Sequence, residues 1–267
     1  MAAVVDVVVA EIVTKGASVV AHSVDAADQV ETVDKATKAN LHQTQEKHHP
    51  NKPMRLGISL LLLIPCTALP KGEAISLFDG KALEEWTDKE GGAPGAGWAV
   101  EDGCIVRQAK AGDLYSKRSF KDFELSFEWK IVAGCNSGVK YRVTDYSGAV
   151  LGLEYQVLDD AKWKYSPDHL GATASIYAIK GAALDKKLHP PGEFNQSRIV
   201  AKGDKIEHWL NGRKVAAITI GSEDWKKRHL ASKFKKRPAF GSKKGRIMLQ
   251  DHGGKVWFRK LVIRELK

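Results

Sequence analysis

Hydrophobic and polar residues alternate with a period of two along much of the chain. The alternation is clearest at 123–129, 139–143, 153–157 and 206–210, and a further strand-like stretch covers 255–266. A period of two places successive side chains on opposite faces of a β-strand. These segments therefore predict strands with one buried face and one face in contact with water or a ligand.

Turn signals separate these strands, and helical patterns are rare. Asn211-Gly212 is a strong hairpin signal, and Ser222 can cap a short helix running to about Ser232. The sequence predicts an all-β fold, a two-sheet antiparallel sandwich or jelly roll with one short helix. Its predicted core includes Phe127, Tyr141, Tyr155, Val157 and Leu249.

The polar positions of these strands form the candidate site. If the apolar residues face the core, the polar residues between them share the opposite face. In four strands this outward set contains amides, a histidine and a carboxylate as well as guanidinium groups, whereas an idle face more often carries Lys and Glu. Each residue alone also fits an ordinary exposed strand face. The set is Arg142, Glu154, Gln156, Gln250, His252 and Arg259.

Net charge adds one further candidate surface. The chain has a formal charge of +10, and residues 226–246 contain ten Lys and Arg residues and no carboxylate. Such a patch can bind phosphates. The stretch has no recognised nucleic-acid motif and few aromatic residues, so a solvated basic surface is the preferred interpretation, and no nucleic-acid partner is predicted.

The N-terminal part resembles an export signal placed inside the chain. Met54-Arg55 is followed by an apolar run at 56–64 and by small residues ending at Ala68. This pattern predicts a signal peptide at 54–68 and a periplasmic or secreted protein, since the run is too short to span a bilayer. Residues 1–53 are then a mis-assigned start or a disordered extension. Export would permit Cys104 and Cys135 to pair, but the sequence does not supply the geometry.

Five blocks in order resemble the 3-keto-disaccharide hydrolase domain family. The match covers about residues 75–266 and opens with LFDGK at 77–81. The blocks are 136–142 (NSGVKYR), 153–160 (LEYQVLDD), 191–195 (PGEFN), 207–212 (EHWLNG) and 249–259 (LQDHGGKVWFR). The resemblance implies an exported domain with a concanavalin-like jelly roll that hydrolyses glycosides oxidised to a ketone at C3.

Three positions depart from the family pattern. Lys260 stands where the family usually has Asn, Phe194 where it often has Trp, and Cys135 where it often has Gly. Lys260 is expected to face the core side of its strand or the strand edge. Phe194 lacks the indole N–H donor that tryptophan would supply.

A ketone at C3 makes the C2 proton acidic, so elimination of the C1 substituent followed by addition of water can replace ordinary glycosidase chemistry. Such a site needs a base, an acid and a cation or hydrogen-bond donor for the enolate. Glu154 or His252 can serve as the base, and Arg142, Arg259 or a divalent metal ion can hold the enolate. The resemblance thus implies Glu154 and His252 as catalytic residues and Asn136, Arg142, Gln156, Gln250 and Arg259 as substrate-binding residues.

Two other classes of protein remain open from the sequence. A non-catalytic carbohydrate-binding sandwich would use aromatic residues such as Trp163 and Trp209. A secreted scaffold that binds polyanions would use the basic stretch at 226–246 and would show strong salt dependence. Turnover of a 3-keto-glycoside by the purified domain separates the first predicted function from both.

Overall fold

The computed structural model describes residues 71–267, so the predicted signal peptide and residues 1–53 lie outside the described residues. Within this range the chain forms thirteen strands and two helices. The strands are β1 (Lys71–Ser76), β2 (Trp86–Thr87), β3 (Trp98–Glu101), β4 (Cys104–Arg107), β5 (Leu114–Phe120), β6 (Phe123–Ile131), β7 (Asn136–Asp145), β8 (Val150–Leu158), β9 (Asn195–Lys202), β10 (Lys205–Leu210), β11 (Arg213–Thr219), β12 (Gly245–Leu249) and β13 (Val256–Leu266). The helices are α1 (Asp160–Trp163) and α2 (Glu223–Ala231).

The strands form two antiparallel sheets. The larger sheet has the order β11-β10-β9-β6-β13-β4-β3, with β1 paired to β13 as its eighth strand, and the five-stranded sheet has the order β2-β5-β12-β7-β8. All strand pairs are antiparallel, as the alternating pattern predicts. The predicted jelly-roll sandwich is confirmed.

Side chains from both sheets meet in one core. The rings of Phe127 and Tyr155 pack edge to face at 5.4 Å, and the Tyr141 hydroxyl lies 2.8 Å from Nε2 of His208. Burial lowers the pKa of His208 to about 4, so its ring is neutral at pH 7. The five predicted core residues are all buried, which confirms that part of the pattern.

A β-bulge reverses the alternation in β7. The strand pairs with β8 through Tyr141 and then Thr144, with one residue too many between them. Arg142 lies at this point with φ of 52° and is completely buried, whereas Val143 packs on the outer face of the sheet beside Met248. The prediction that Arg142 faces outward and Val143 inward is therefore wrong, because the bulge turns the chain by one residue.

A second bulge has the same effect in β13. Here the extra residue follows Arg259, and Lys260 has φ of 51°. Leu261 and Ile263 consequently fill the core, while Val262 lies on the outer face of the eight-stranded sheet. Lys260 points to solvent instead of to the core side of the strand, so that expectation is also wrong.

The predicted helix is present, and a second helix accompanies it. The Ser222 side chain accepts the N–H of Trp225 at the start of α2, and Ser232 follows the last helical residue. Helix α1 has only four residues, with Asp159 accepting the N–H of Lys162. A single turn is too short to show a helical period, so the prediction of one helix missed it.

The segment 164–194 between α1 and β9 protects the free edge of β8. The N–H of Tyr177 donates to the carbonyl of Glu154 at 3.0 Å, and the N–H of Ala174 donates to the carbonyl of Gln156 at 2.9 Å. An exposed sheet edge is normally covered or charged to prevent further pairing. This cover also holds the β8 backbone in place at Glu154 and Gln156.

Two further features concern the sequence predictions. Cys104 and Cys135 are both buried free thiols, so they do not form the disulfide that export would permit. Among the described residues, no helix has both the length and the apolar character needed to cross a membrane.

Candidate functional site

On the outer face of the five-stranded sheet, Gly138 leaves space above the backbone because it has no side chain. Gly138 is paired with Gln156 of β8, and on its other side its carbonyl accepts the N–H of Gln250 at 2.9 Å. A Cβ at position 138 would lie 2.5 Å from Oε1 of Glu154. The absence of a side chain at this position makes room for the Glu154 carboxylate above the sheet.

Glu154 is a buried carboxylate whose ion-pair partner among residues 71–267 is Lys140. Lys140 is opposite it on β7, with 3.7 Å between Nζ of Lys140 and Oε2 of Glu154. Burial raises the pKa of Glu154, and the positive charges of Lys140 and Lys233 only partly oppose this. A buried carboxylate with a raised pKa is a stronger base than an exposed one, so it is better suited to accept a proton from a substrate.

Two buried amide groups lie on either side of Gly138. Nε2 of Gln156 donates to Oδ1 of Asn136 at 3.0 Å. The Oε1 atoms of Gln156 and Gln250 are buried and accept no hydrogen bond from any residue in 71–267. Because a buried acceptor without a donor is unfavourable, these oxygens are suited to receive hydroxyl groups of a ligand.

His252 is held at the end of the same sheet by its backbone neighbours. Asn136 and Gly253 exchange two backbone hydrogen bonds of 3.0 and 3.1 Å. The preceding residue, Asp251, pairs with Arg107 and accepts further hydrogen bonds, from the backbone N–H groups of residues 111 and 112. This anchored turn leaves the His252 side chain exposed beside Asn136.

A cleft of about 370 Å³ adjoins the carboxylate. Its floor is formed by the outer face of β7, β8 and β12, and its far wall by the chain that follows α2. The polar residues that line it are Asp113, Tyr115, Lys140, Glu154, Lys233 and Arg237. The cleft therefore places Glu154 at the boundary between the amide groups on one side and a set of cations on the other.

The structure removes Arg142 from the predicted site. Its guanidinium group is buried behind the sheet and joins three loops of the sandwich. It donates hydrogen bonds of 2.9 Å each to the carbonyl oxygens of Lys121, Gly203 and Gly241. Arg142 therefore has a structural role and cannot reach a ligand on the outer face.

The structure also separates Arg259 from the other predicted residues. Residues 250–255 carry the chain from the five-stranded sheet to the eight-stranded sheet, so β12 and β13 belong to different layers. Nε of Arg259 donates to Glu128 at 2.7 Å, and its guanidinium stacks on the Phe194 ring at 3.6 Å. Of the predicted set, Glu154, Gln156 and Gln250 therefore lie on the outer face of the five-stranded sheet, with Asn136 and His252 at its end and both arginines elsewhere.

The described residues do not form a binding site for the divalent metal ion that the sequence analysis considered. Among residues 71–267, no group of three or more His, Cys, Asp and Glu side chains is arranged to hold a metal ion. Glu154 and His252 thus have no third such ligand in the described part of the chain.

Residues 73–264 match the family described as the 3-keto-alpha-glucoside-1,2-lyase-like domain. The chain belongs to this family. A 3-keto-disaccharide hydrolase of Bacteroides thetaiotaomicron is 30% identical over 227 residues, which cover 72% of this chain and 78% of that protein. The resemblance identified from the five sequence blocks is confirmed.

Two solved structures from Parabacteroides distasonis, both described as candidate glycosyl hydrolases, have the same fold as this family member. One is 35% identical with a TM-score of 0.65 and covers 73% of this chain and 94% of its own. The other is 29% identical with a TM-score of 0.59 and covers 73% of this chain and 100% of its own.

Sequence reasoning missed four charged residues in the cleft of this 3-keto-alpha-glucoside-1,2-lyase-like domain. Lys140 carried a signal, since it alternates outward two residues after Gly138. Lys233 and Arg237 belong to the basic stretch that was interpreted as solvated surface, and Asp113 lies outside every quoted motif. Only the packing of the chain after α2 brings Lys233 and Arg237 to the cleft that Glu154 lines.

Proposed function

We propose that this protein is an exported hydrolase that cleaves 3-keto-glycosides or 3-keto-disaccharides by elimination followed by hydration. One observation carries the proposal. In a chain of this family, a buried carboxylate with a raised pKa lies above a glycine floor, against one ammonium group and beside two buried amide oxygens.

Glu154 is the base of the first step. It removes the proton from C2 of the keto sugar, and the electron pair of that C–H bond forms the enolate with the C3 carbonyl. The raised pKa of Glu154 brings its proton affinity closer to that of the substrate proton. Lys140 takes the cationic role first considered for Arg142 and Arg259, since its ammonium lies 3.7 Å from the same carboxylate and can hold the enolate oxygen.

The enolate then expels the substituent at C1, which gives an unsaturated ketone, and the leaving oxygen takes up a proton. His252 is the proposed acid for this proton, because its exposed side chain lies at the end of the site next to the Asn136–Gly253 backbone pair. Water adds to C1 and a proton returns to C2, which completes a net hydrolysis. Gln156, Gln250 and Asn136 bind the sugar hydroxyls through their amide groups.

Product analysis with the full chain in deuterated water tests this proposal. Elimination and hydration should place deuterium at C2 of the released 3-keto sugar, and the matched unoxidised glucosides should not react. The assay is run with and without a chelator. Turnover of unoxidised glucosides, or products without deuterium at C2, would contradict the mechanism.

His252→Ala gives a second test. Loss of a general acid should lower kcat/KM by about a hundredfold or more while the melting temperature changes little, since the side chain is exposed. If the wild-type chain binds sugars but turns over none of the 3-keto-glycosides, the carbohydrate-binding function is favoured.

Export is the remaining part of the proposal, and it is supported by the signal-like pattern at 54–68. Cleavage after Ala68 should give a mature protein that begins near Leu69. N-terminal sequencing of protein recovered from the culture supernatant or periplasm measures this. Abundant peptides from residues 1–53 in the mature protein would contradict it.

A further inference from the structure

The basic stretch at 226–246 is divided by the structure into two parts with different surroundings. Its first part belongs to α2, where Lys226 pairs with Glu223 and Arg228 pairs with Asp224, each at 2.7 Å. The chain after α2 instead forms a wall of the cleft that contains Glu154. The charges of the two parts therefore have different surroundings, although the two parts are similar in composition.

Lys233 and Arg237 are the cations of this wall. Among residues 71–267, neither has a carboxylate within 4 Å of its charged nitrogen atoms. The Lys233 ammonium lies over the rings of Tyr177 at 4.4 Å and Phe234 at 5.3 Å, and Arg237 donates to the Ser147 carbonyl at 2.7 Å. Aromatic rings and a carbonyl orient these cations but leave their charge uncompensated.

The charges that line the cleft do not cancel. Three cations, Lys140, Lys233 and Arg237, oppose two carboxylates, Asp113 and Glu154. Glu154 already has Lys140 as its partner at 3.7 Å, and Asp113 accepts the backbone N–H of Asp251 at 2.9 Å. The excess positive charge therefore lies on the wall formed by Lys233 and Arg237.

The position of Glu154 indicates which part of the substrate lies in the cleft. Gln156 and Gln250 lie beside Gly138, outside the cleft, whereas Glu154 lines it. If the keto sugar occupies the amide side, as the proposed function requires, its C1 substituent extends from Glu154 into the cleft. The walls there combine the two cations with apolar side chains, including Leu151, Phe234 and Met248.

We propose that this cleft selects substrates whose leaving group carries an anion, such as a carboxylate or an acidic ester, which Lys233 and Arg237 bind. The proposal rests on the function proposed above, because the keto sugar fixes the direction of the leaving group. The anion would serve as the negatively charged partner that Lys233 and Arg237 lack among residues 71–267. The apolar walls would contact the rest of the leaving group. Positive charge in a partly enclosed cleft attracts such substrates more strongly than it would on an open surface.

The test compares two substrates that differ by one charge. They are the 3-keto-glucosides of para-(carboxymethyl)phenol and of para-(carbamoylmethyl)phenol, in which a methylene group insulates the charge from the reacting oxygen. The wild-type chain should prefer the carboxylate in kcat/KM by about tenfold at low salt. The preference should shrink as salt is added, because the cleft is open to solvent. A sulfonate version of the same substrate shows whether the site accepts acidic groups generally.

The chain offers a matched control within the same segment. Lys233→Gln with Arg237→Gln should abolish the preference, which is a ratio of two kcat/KM values and so cancels any change in the pKa of Glu154 that both substrates share. Lys235→Gln with Lys236→Gln removes the same charge from exposed positions outside the cleft and should leave the preference unchanged. The single variant Lys233→Gln, which should halve the preference or more, serves if loss of the Arg237 bond to Ser147 lowers the melting temperature.

Equal kcat/KM for the two substrates would overturn the proposal, and so would a preference that survives in the Lys233 and Arg237 variant. If neither keto substrate reacts, the proposed function fails, and the anion site is tested by calorimetry with the unoxidised pair of glucosides. Tighter binding of the carboxylate by the wild type and not by the variant would support the site, and equal binding would reject it.

Discussion

The outer faces of the two sheets both carry a cleft, but the carboxylates in the two clefts differ in how completely they are paired with cations. The cleft on the eight-stranded sheet is the larger, at about 510 Å³ against 370 Å³, and it is lined by Glu124, Glu128, Arg198 and Trp209 among others. There Glu128 receives hydrogen bonds from Lys260 at 2.8 Å and from Arg259 at 2.7 Å. Glu124 is likewise paired with Arg198 at 3.2 Å, so volume alone would select the face whose carboxylates already have ion-pair partners.

The two carboxylates show what this difference means for chemistry. Burial acts to raise the pKa of Glu128, but the bonds from Lys260 and Arg259 outweigh it, so the pKa is lowered. Burial dominates at Glu154, so the pKa is raised. A carboxylate held by two cations is a poor proton acceptor, whereas an incompletely paired one is available to a substrate.

The largest contrast is expected from the same substitution on each face. Glu154→Gln should lower kcat/KM for a 3-keto-glycoside by at least about a hundredfold, because it removes the general base. Glu128→Gln should leave kcat/KM within about twofold. Steady-state kinetics on both variants measure the effect, and a large loss of activity in Glu128→Gln would move the active site to the other sheet.

A smaller contrast is expected from an alanine substitution on the outer face of each sheet. The Cβ of Gly138→Ala would lie 2.5 Å from Oε1 of Glu154, so the carboxylate must move and kcat/KM should fall about tenfold or more. Ser126→Ala, in the other cleft, should have little effect. Both variants should remain folded by circular dichroism. Normal turnover by Gly138→Ala would show that the position of Glu154 is not critical.

The pH profile should distinguish the two lysines that face the carboxylates. A base must be deprotonated, so kcat/KM falls as the pH drops below the pKa of Glu154. Lys140 lowers that pKa, and Lys140→Met should therefore move this acid limb to higher pH. Lys260→Met changes only the surroundings of Glu128 and should not move it. An acid limb that stays in place in Lys140→Met would mean that another group titrates.

The smallest expected contrast is in stability and has opposite signs on the two faces. The ionised form of Glu154 is disfavoured by burial, so Glu154→Gln should leave the free energy of unfolding at pH 7 unchanged or raise it by up to about 1 kcal/mol. Glu128→Gln weakens two ion pairs that are partly exposed and should lower it by about 0.5 to 1 kcal/mol. Urea unfolding measures both, and equal losses would remove the distinction.

The sequence determined the parts of this protein that depend on local pattern. Alternation located the strands β6, β7, β8, β10 and β13 and the buried residues Tyr155 and Leu249, and the serine cap located α2, because each signal acts over a few residues. The five motif blocks determined the family. They also included Glu154, Gln156 and Gln250, which lie together on one outer face.

Only the tertiary structure decided where alternation stops and which strands are neighbours. The bulges at Arg142 and Lys260 each insert one residue, and a period-two pattern contains no mark of that insertion. Sheet membership depends on pairing between distant segments, so the sequence placed Arg259 with Gln250 although their strands lie in different layers. For the same reason Lys233, which the sequence places in a basic stretch like any other, became part of the cleft only when the chain after α2 packed beside β7 and β8.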